Sequence, residues 1–185
     1  MEREEIFSEI LFPKLTQKVV WFKMKASKIE YSVHSLWNFL RETFGMDEAF
    51  KMFGPYRGAN IVPKLMDNLT YEVQMPLVLG NTNYVGTHFG GSLYSMCDPF
   101  FMFILMNNLG SGYIIWDKSA RIEFLKPGRG TVRAIFHIPK EEIQEVKRIV
   151  AERKKTTRTY FAEVIDFDGT IVARVEKELY VRRVD

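Results

Sequence analysis

Gly90-Gly91-Ser92-Leu93-Tyr94-Ser95-Met96-Cys97-Asp98-Pro99-Phe100-Phe101-Met102-Phe103-Ile104-Leu105-Met106-Asn107-Asn108-Leu109-Gly110 is the segment that settles what kind of core this chain builds. It reads as a helix of about 18 residues, from Gly90 or Gly91 to Asn108, ended by Leu109-Gly110. Its side chains are apolar nearly all the way round, and a helix with no polar face must be enclosed. The greasiest part, Phe100 to Met106, is far below the ~20 residues that span a bilayer and has Asp98 and Pro99 at its edge. A curved sheet wrapped around one buried helix is the economical way to enclose it.

The flanking sequence supplies that sheet. Ala59 to Met66 and Leu69 to Leu77 read as two strands around the turn Asp67-Asn68. Tyr113 to Leu125 and Thr131 to Ile138 read as two more, separated by the turn Lys126-Pro127-Gly128-Arg129-Gly130. A charged helix follows from about Lys140 to Lys154. The Asp168-Gly169 turn then closes a hairpin of Thr157 to Asp166 with Thr170 to Val181. Hairpin-joined strands make the sheet largely antiparallel. Upstream, Leu36, Trp37, Phe39, Leu40, Phe44, Ala49, Phe50 and Phe53 recur at helical spacing until Gly54-Pro55 stops the pattern. Residues 1–34 are assigned no element.

Composition agrees with one ordinary domain. The chain has 185 residues, 46% apolar and 26% charged, which excludes disorder and collagen-like structure. Aromatic residues, at 14%, point to a large interior or an apolar pocket. The single cysteine, Cys97, excludes an internal disulfide framework, and the three histidines, at 34, 88 and 137, have no metal-ligand spacing. Five charges in the first nine residues leave no signal-peptide core, so the expected location is cytoplasmic. A net charge of +3 makes no case for nucleic acid.

Asp98 is the anomaly. Between Val73 and Trp116 lie 44 residues, and Asp98 is the only charged one, where the chain average would give about eleven. A carboxylate in so apolar a helix is costly unless paired, and such groups recur as catalytic bases and nucleophiles. The alternative is that Asp98 caps a new helix beginning at Pro99. A helix kinked at Pro99 fits better, because a break there would expose Leu93 and Met96. Upstream, Thr87-His88-Phe89-Gly90-Gly91-Ser92 puts paired glycines at the helix start, where free amides can polarise a carbonyl. A tight loop that needs glycine for its own backbone is the plainer reading of that pair.

Taken together, Asn83, Gly86-Thr87-His88-Phe89-Gly90-Gly91-Ser92, Asp98 and Lys126-Pro127-Gly128 resemble the hotdog-fold thioesterase superfamily. Within it, the chain is similar to a broad uncharacterised group related to the phenylacetate-pathway acyl-CoA thioesterases. The resemblance covers roughly residues 55–183 and implies an α+β hotdog fold: a curved antiparallel sheet around one long central helix. Residues 1–54 would be an N-terminal helical extension packing on the core, and residues 55–185 the hotdog domain. The resemblance further implies a homodimer or a dimer of dimers. It implies that Asp98 activates water or attacks directly while the Gly90 and Gly91 amides hold the oxyanion. Asn83, His88, Phe89 and Ser92 would lie at the substrate. The family motif has His before Gly-Gly, whereas this chain has Phe89 there and its histidine one residue earlier. The role of that histidine is therefore not transferred to His88, and Asn83 is expected to orient the loop or the acid.

The expected function is hydrolysis of an acyl-CoA or acyl-carrier thioester, without metal or cofactor. The alternative is a non-catalytic module that binds acyl chains or other apolar ligands. Lys147, Arg148, Arg153, Lys154, Lys155 and Arg158 could meet coenzyme A phosphates or nucleic acid, or simply form a solvated face. The partners expected are a thioester and a second copy of the chain, with neither nucleic acid nor a membrane span. Gly90 and Asp98 are eight residues apart, about 12 Å along a helix, too far to meet at one thioester. A twofold dimer with antiparallel central helices would bring Asp98 of one subunit to the glycines of the other.

Overall fold

The computed structural model describes residues 34–184, in which thirteen residues of β6 and twelve of β3 form the longest strands. Three short helices come first: α1 (Ser35–Phe44), α2 (Met46–Met52) and α3 (Gly54–Ala59). The hairpin β1 (Val62–Asp67) and β2 (Thr70–Pro76) follows, then α4 (Gly90–Ser95), α5 (Phe100–Leu109) and β3 (Tyr113–Phe124). The chain ends with β4 (Thr131–His137), α6 (Lys140–Arg153), β5 (Lys155–Ile165) and β6 (Ile171–Arg183). The expected extension, residues 1–54, is described from residue 34 onward, and its earlier part lies outside the described residues.

All six strands pair antiparallel in the order β1-β2-β4-β5-β6-β3. The sheet curves around α4 and α5. The inward rows follow the two-residue period of a pleated strand: Tyr71, Val73 and Met75 on β2, Val132, Ala134 and Phe136 on β4, Val175, Leu179 and Val181 on β6. Phe100, Phe101, Ile104 and Leu105 of α5 fill the space between these rows. α6 packs on β5, β6 and α5 and buries Ile143, Val146 and Val150. Only two residue pairs, Arg133 with Ile165 and Ala134 with Val164, join β4 to β5.

Three expectations change. Gly54-Pro55 does not stop the helical region; it opens α3, because proline at the first helical positions gives up an amide that has no partner there anyway. Residues 126–130 are a crossover rather than a hairpin turn: β3 pairs with β6 at the sheet edge, and β4 lies between β2 and β5. The central helix is interrupted at Met96 to Pro99 rather than merely kinked. Cys97 N and Asp98 N donate to the carbonyls three residues back, Tyr94 and Ser95, at 2.9 and 3.3 Å. Proline has no amide to continue the ladder, and α5 restarts when Phe103 N donates to Pro99 O at 3.1 Å. Leu93 and Met96 stay buried despite the break. Asp98 is not a cap: no side chain caps α5.

Candidate active site

The interruption puts Asp98 on the wall of a cavity of about 670 Å³ between α5 and the three N-terminal helices. The cavity is walled by Trp37 of α1, Phe50 of α2, Phe53 and Tyr56 at α3, Tyr71 of β2 and Phe103 of α5. Phe50, Tyr56, Phe100 and Phe103 pack ring on ring, with centroids 5.7 to 6.4 Å apart. Such stacks make a rigid apolar wall. Tyr94, Ser95 and Asp98 supply polar groups, and His34 and Arg41 add two from the N-terminal side. The volume lies in the usual range for small-molecule sites.

Asp98 is not the isolated charge its neighbourhood in the sequence suggests. Lys177 reaches in from β6 and its ammonium donates to Asp98 Oδ1. It also donates to the Tyr94 hydroxyl at 3.3 Å and stands 3.4 Å from Asp117 Oδ1 of β3. Its Nζ lies 5.3 Å from the centre of the Tyr94 ring, within cation–π range. The Lys177 side chain is 2% exposed and that of Asp98 41%, so the pair has one buried and one wet partner. Tyr56 fixes the same turn from the other side, its hydroxyl donating to the Asp98 main-chain carbonyl.

These contacts set the protonation of the cluster. Burial pulls the Lys177 ammonium down, but the hydrogen bond and charge of Asp98, then the charges of Asp117 and Tyr94, outweigh it and hold it above the ordinary lysine value. Burial is also the largest influence on Asp117; Lys177 opposes it and the charge of Asp98 adds to it, leaving the carboxyl at about 6. Burial, reinforced by the charge of Asp98, pushes the Tyr56 phenol well above its usual range. The Cys97 thiol, buried beside this cluster, is pushed up to about 12, which leaves it no role as a nucleophile.

The other expected residues stand apart from this cavity. Asn83 holds its own loop, donating to Thr87 Oγ1 at 2.8 Å and to the His88 carbonyl at 3.2 Å, while its Oδ1 accepts from Val85 N and Thr87 N. His88 is buried, with Nε2 2.9 Å from Gly130 O and its ring against Gly128. Burial pushes its imidazole pKa down. It joins the 82–89 loop to the β3–β4 crossover. Gly90 and Gly91 open α4, where first-turn amides have no acceptor within the helix. Phe89 is exposed and its ring lies over Gly91; Phe124 lies over Gly90. Ser92 is buried, its amide donating to Phe89 O at 3.0 Å. In one chain the glycine amides and Asp98 therefore do not line the same cavity. Of the basic cluster, Arg148 is paired with Glu145 and Glu152, and Arg158 with Glu142. Among the described residues no group of three His, Cys, Asp or Glu side chains could hold a metal ion, and no helix is long and apolar enough to cross a membrane.

Lys177 and Asp117 escaped the sequence reading, although one signal was present. Val175, Leu179 and Val181 mark the inward row of β6, and Lys177 falls in that row. Asp117 lies at a register shift between Asp117 and Ser119 in the β3–β6 pairing, the kind of irregularity that re-aims a side chain. Alternation alone does not place such a residue.

Solved structures share this architecture. A protein of unknown function from Pseudomonas aeruginosa, called a probable thioesterase, is 17% identical, with a TM-score of 0.69 over 75% of this chain and 93% of that one. A thioesterase from Haemophilus influenzae is 12% identical, with a TM-score of 0.55 over 82% of this chain and 93% of that one. The PaaI protein of the E. coli phenylacetic acid degradation operon is 20% identical, with a TM-score of 0.51 over 75% and 89%. At such identities the likeness is one of fold: this is a hotdog fold, shared with thioesterases. No curated protein matches the chain. The pattern matched across residues 47–181 is that of DUF4442, a domain of unknown function, and the chain belongs to that family.

Proposed function

We propose that this protein hydrolyses thioesters of apolar acyl groups, with Asp98 as the reacting carboxylate. The observation that carries the reading is the position of Asp98: a half-buried carboxylate, reached by water, on the wall of an aromatic cavity at the break of the central helix. The acyl group would occupy the cavity, replacing water against the rings of Phe50, Phe103 and Tyr71. Asp98 takes a proton from water as the water oxygen bonds to the thioester carbon, and the carbonyl becomes an oxyanion. The C–S bond then breaks and the thiolate receives the proton from Asp98. Coenzyme A is the most general carrier of such acyl groups, and neither step calls on a cofactor.

The oxyanion donors are the Gly90 and Gly91 amides of a second copy of the chain, placed beside Asp98 by a twofold axis. Support comes from two features: the two groups do not share a cavity within one chain, and Phe89 and Phe124 stand exposed beside the glycines. Exposed aromatic clusters of this kind mark interaction surfaces.

One observation favours the alternative of an apolar-ligand carrier. Asp98 is already engaged by Lys177, whose ammonium occupies one of the two carboxylate oxygens that a reacting water would use. A panel of acyl-CoA substrates, read with a thiol-trapping dye, separates the two. The expected result is turnover by the wild type and a loss of roughly a hundredfold or more in Asp98→Asn. Retained apolar ligand in native mass spectra, with no turnover, would establish the carrier instead.

A further inference from the structure

Lys177 is, among the described residues, the only lysine or arginine that is buried. Lysine is almost never buried unless paired, and a buried ion pair is weak evidence for stability, because a well-packed apolar residue often serves as well. The inward row of β6 is otherwise Val175, Leu179 and Val181, so an apolar side chain at 177 would suit the core. What an apolar residue could not do is hold Asp98. The ammonium has three donors, and three oxygens surround it: Asp98 Oδ1, the Tyr94 hydroxyl at 3.3 Å and Asp117 Oδ1 at 3.4 Å. These come from three elements, β6 aside: the break after α4, α4 itself and β3.

We propose that Lys177 is the positioning residue of the site: anchored by Tyr94 and Asp117, it takes one oxygen of Asp98 and fixes the carboxylate toward the aromatic cavity. This rests on the reading of that cavity as a thioester site. Without the ammonium, the carboxylate sits on a helix break with its main chain held by Tyr56 and its side chain left facing the carboxyl of Asp117, with no cation to fix its direction. An anchored carboxylate keeps one direction, and misplacement of a reacting group by about 1 Å costs roughly a hundredfold in rate. Lys177 itself touches no substrate.

The test is a double-mutant cycle with a second readout that needs no turnover. Lys177→Met is expected to lower kcat for acyl-CoA hydrolysis roughly a hundredfold, with KM changed by less than about twofold. In the Asp98→Asn background the same change should alter kcat by less than about twofold, because the two act as a unit. Equal losses in both backgrounds, or a change confined to KM, would overturn the proposal. Separately, the Lys177 ammonium should give a slowly exchanging signal in proton–nitrogen spectra of the wild type. That signal should broaden into solvent exchange in Asp98→Asn with circular dichroism unchanged. An ammonium signal indifferent to Asp98→Asn overturns the proposal even if Lys177→Met fails to fold. Absence of wild-type turnover would remove the thioesterase reading alone and leave the ammonium measurement to decide the anchoring.

Discussion

Asp98 and Lys177 are partners of unequal burial, and that inequality predicts unequal costs. Removing Asp98 leaves a buried ammonium with only Asp117 and Tyr94 to answer it. Removing Lys177 leaves Asp98, which water already reaches, and Asp117, whose largely buried carboxyl can take up a proton in place of the lost charge. An uncompensated buried charge is the expensive outcome. At pH 7, Asp98→Asn should therefore lower stability by about 2 kcal/mol and Lys177→Met by about 1 or less, read from urea midpoints. Asp117 adds a pH dependence of definite sign. Its carboxyl is displaced upward to about 6, so the folded state binds the proton more tightly than the unfolded chain. Its contribution is fully present below the ordinary carboxylate value and is lost as pH rises through about 6. The stability of the wild type relative to Asp117→Asn should fall by at most ~3 kcal/mol between pH 4 and pH 7. A difference that rises with pH would contradict this account.

At the scale of elements, the site depends on a helix that stops and restarts. Proline denies α5 one amide, the turn at Met96 to Pro99 closes with bonds to carbonyls three residues back, and Tyr56 of α3 takes the carbonyl of Asp98. Tyr56→Phe leaves that carbonyl without its donor and should lower stability by about 1–2 kcal/mol, with the loss read in thermal melts. Asn81 is the second such joint. It is buried, its Nδ2 donates to Ala59 O and Pro76 O, both at 2.7 Å, and its Oδ1 accepts from Val78 N at 2.9 Å. Asn81→Ala strands three main-chain groups at once and is expected to cost about 3 kcal/mol or more. Most elements were legible in the sequence because each carries its own period or stop: alternation in β2 and β4, apolar enclosure of Phe100 to Leu109, the Asp168-Gly169 turn. The pairing of β3 with β6 was not, since partner choice is decided by the whole sheet and not by the turn at residues 126–130. Asp98 was legible as the one charge in an apolar run, while Lys177, 79 residues away, was hidden among ordinary strand charges.

For the whole molecule, the proposed hydrolysis requires the glycine amides and Asp98 to come to one thioester. One chain presents Asp98 inside the aromatic cavity and Gly90-Gly91 under the exposed rings of Phe89 and Phe124. The interruption at Met96 to Pro99 does not close this gap, because the glycines stay outside the lining of the cavity that Asp98 enters. Composite sites in a twofold dimer lead to a result that sites within one chain do not. Asp98→Asn keeps good glycines and loses the acid. Gly90→Leu keeps the acid and obstructs the amides; its Cβ would meet the Phe124 ring at 2.9 Å, and that exposed ring can swing away. Each variant alone should be inactive. Co-expressed, half of the dimers are mixed, and each mixed dimer carries one site with an intact glycine pair facing an intact Asp98. Activity should return to about a quarter of the wild-type value per chain. Sites contained in one chain would give none, since no chain in the mixture holds both groups. Sedimentation of the mixed sample would establish that the active species is the dimer, and a monomer with full activity would exclude the composite arrangement.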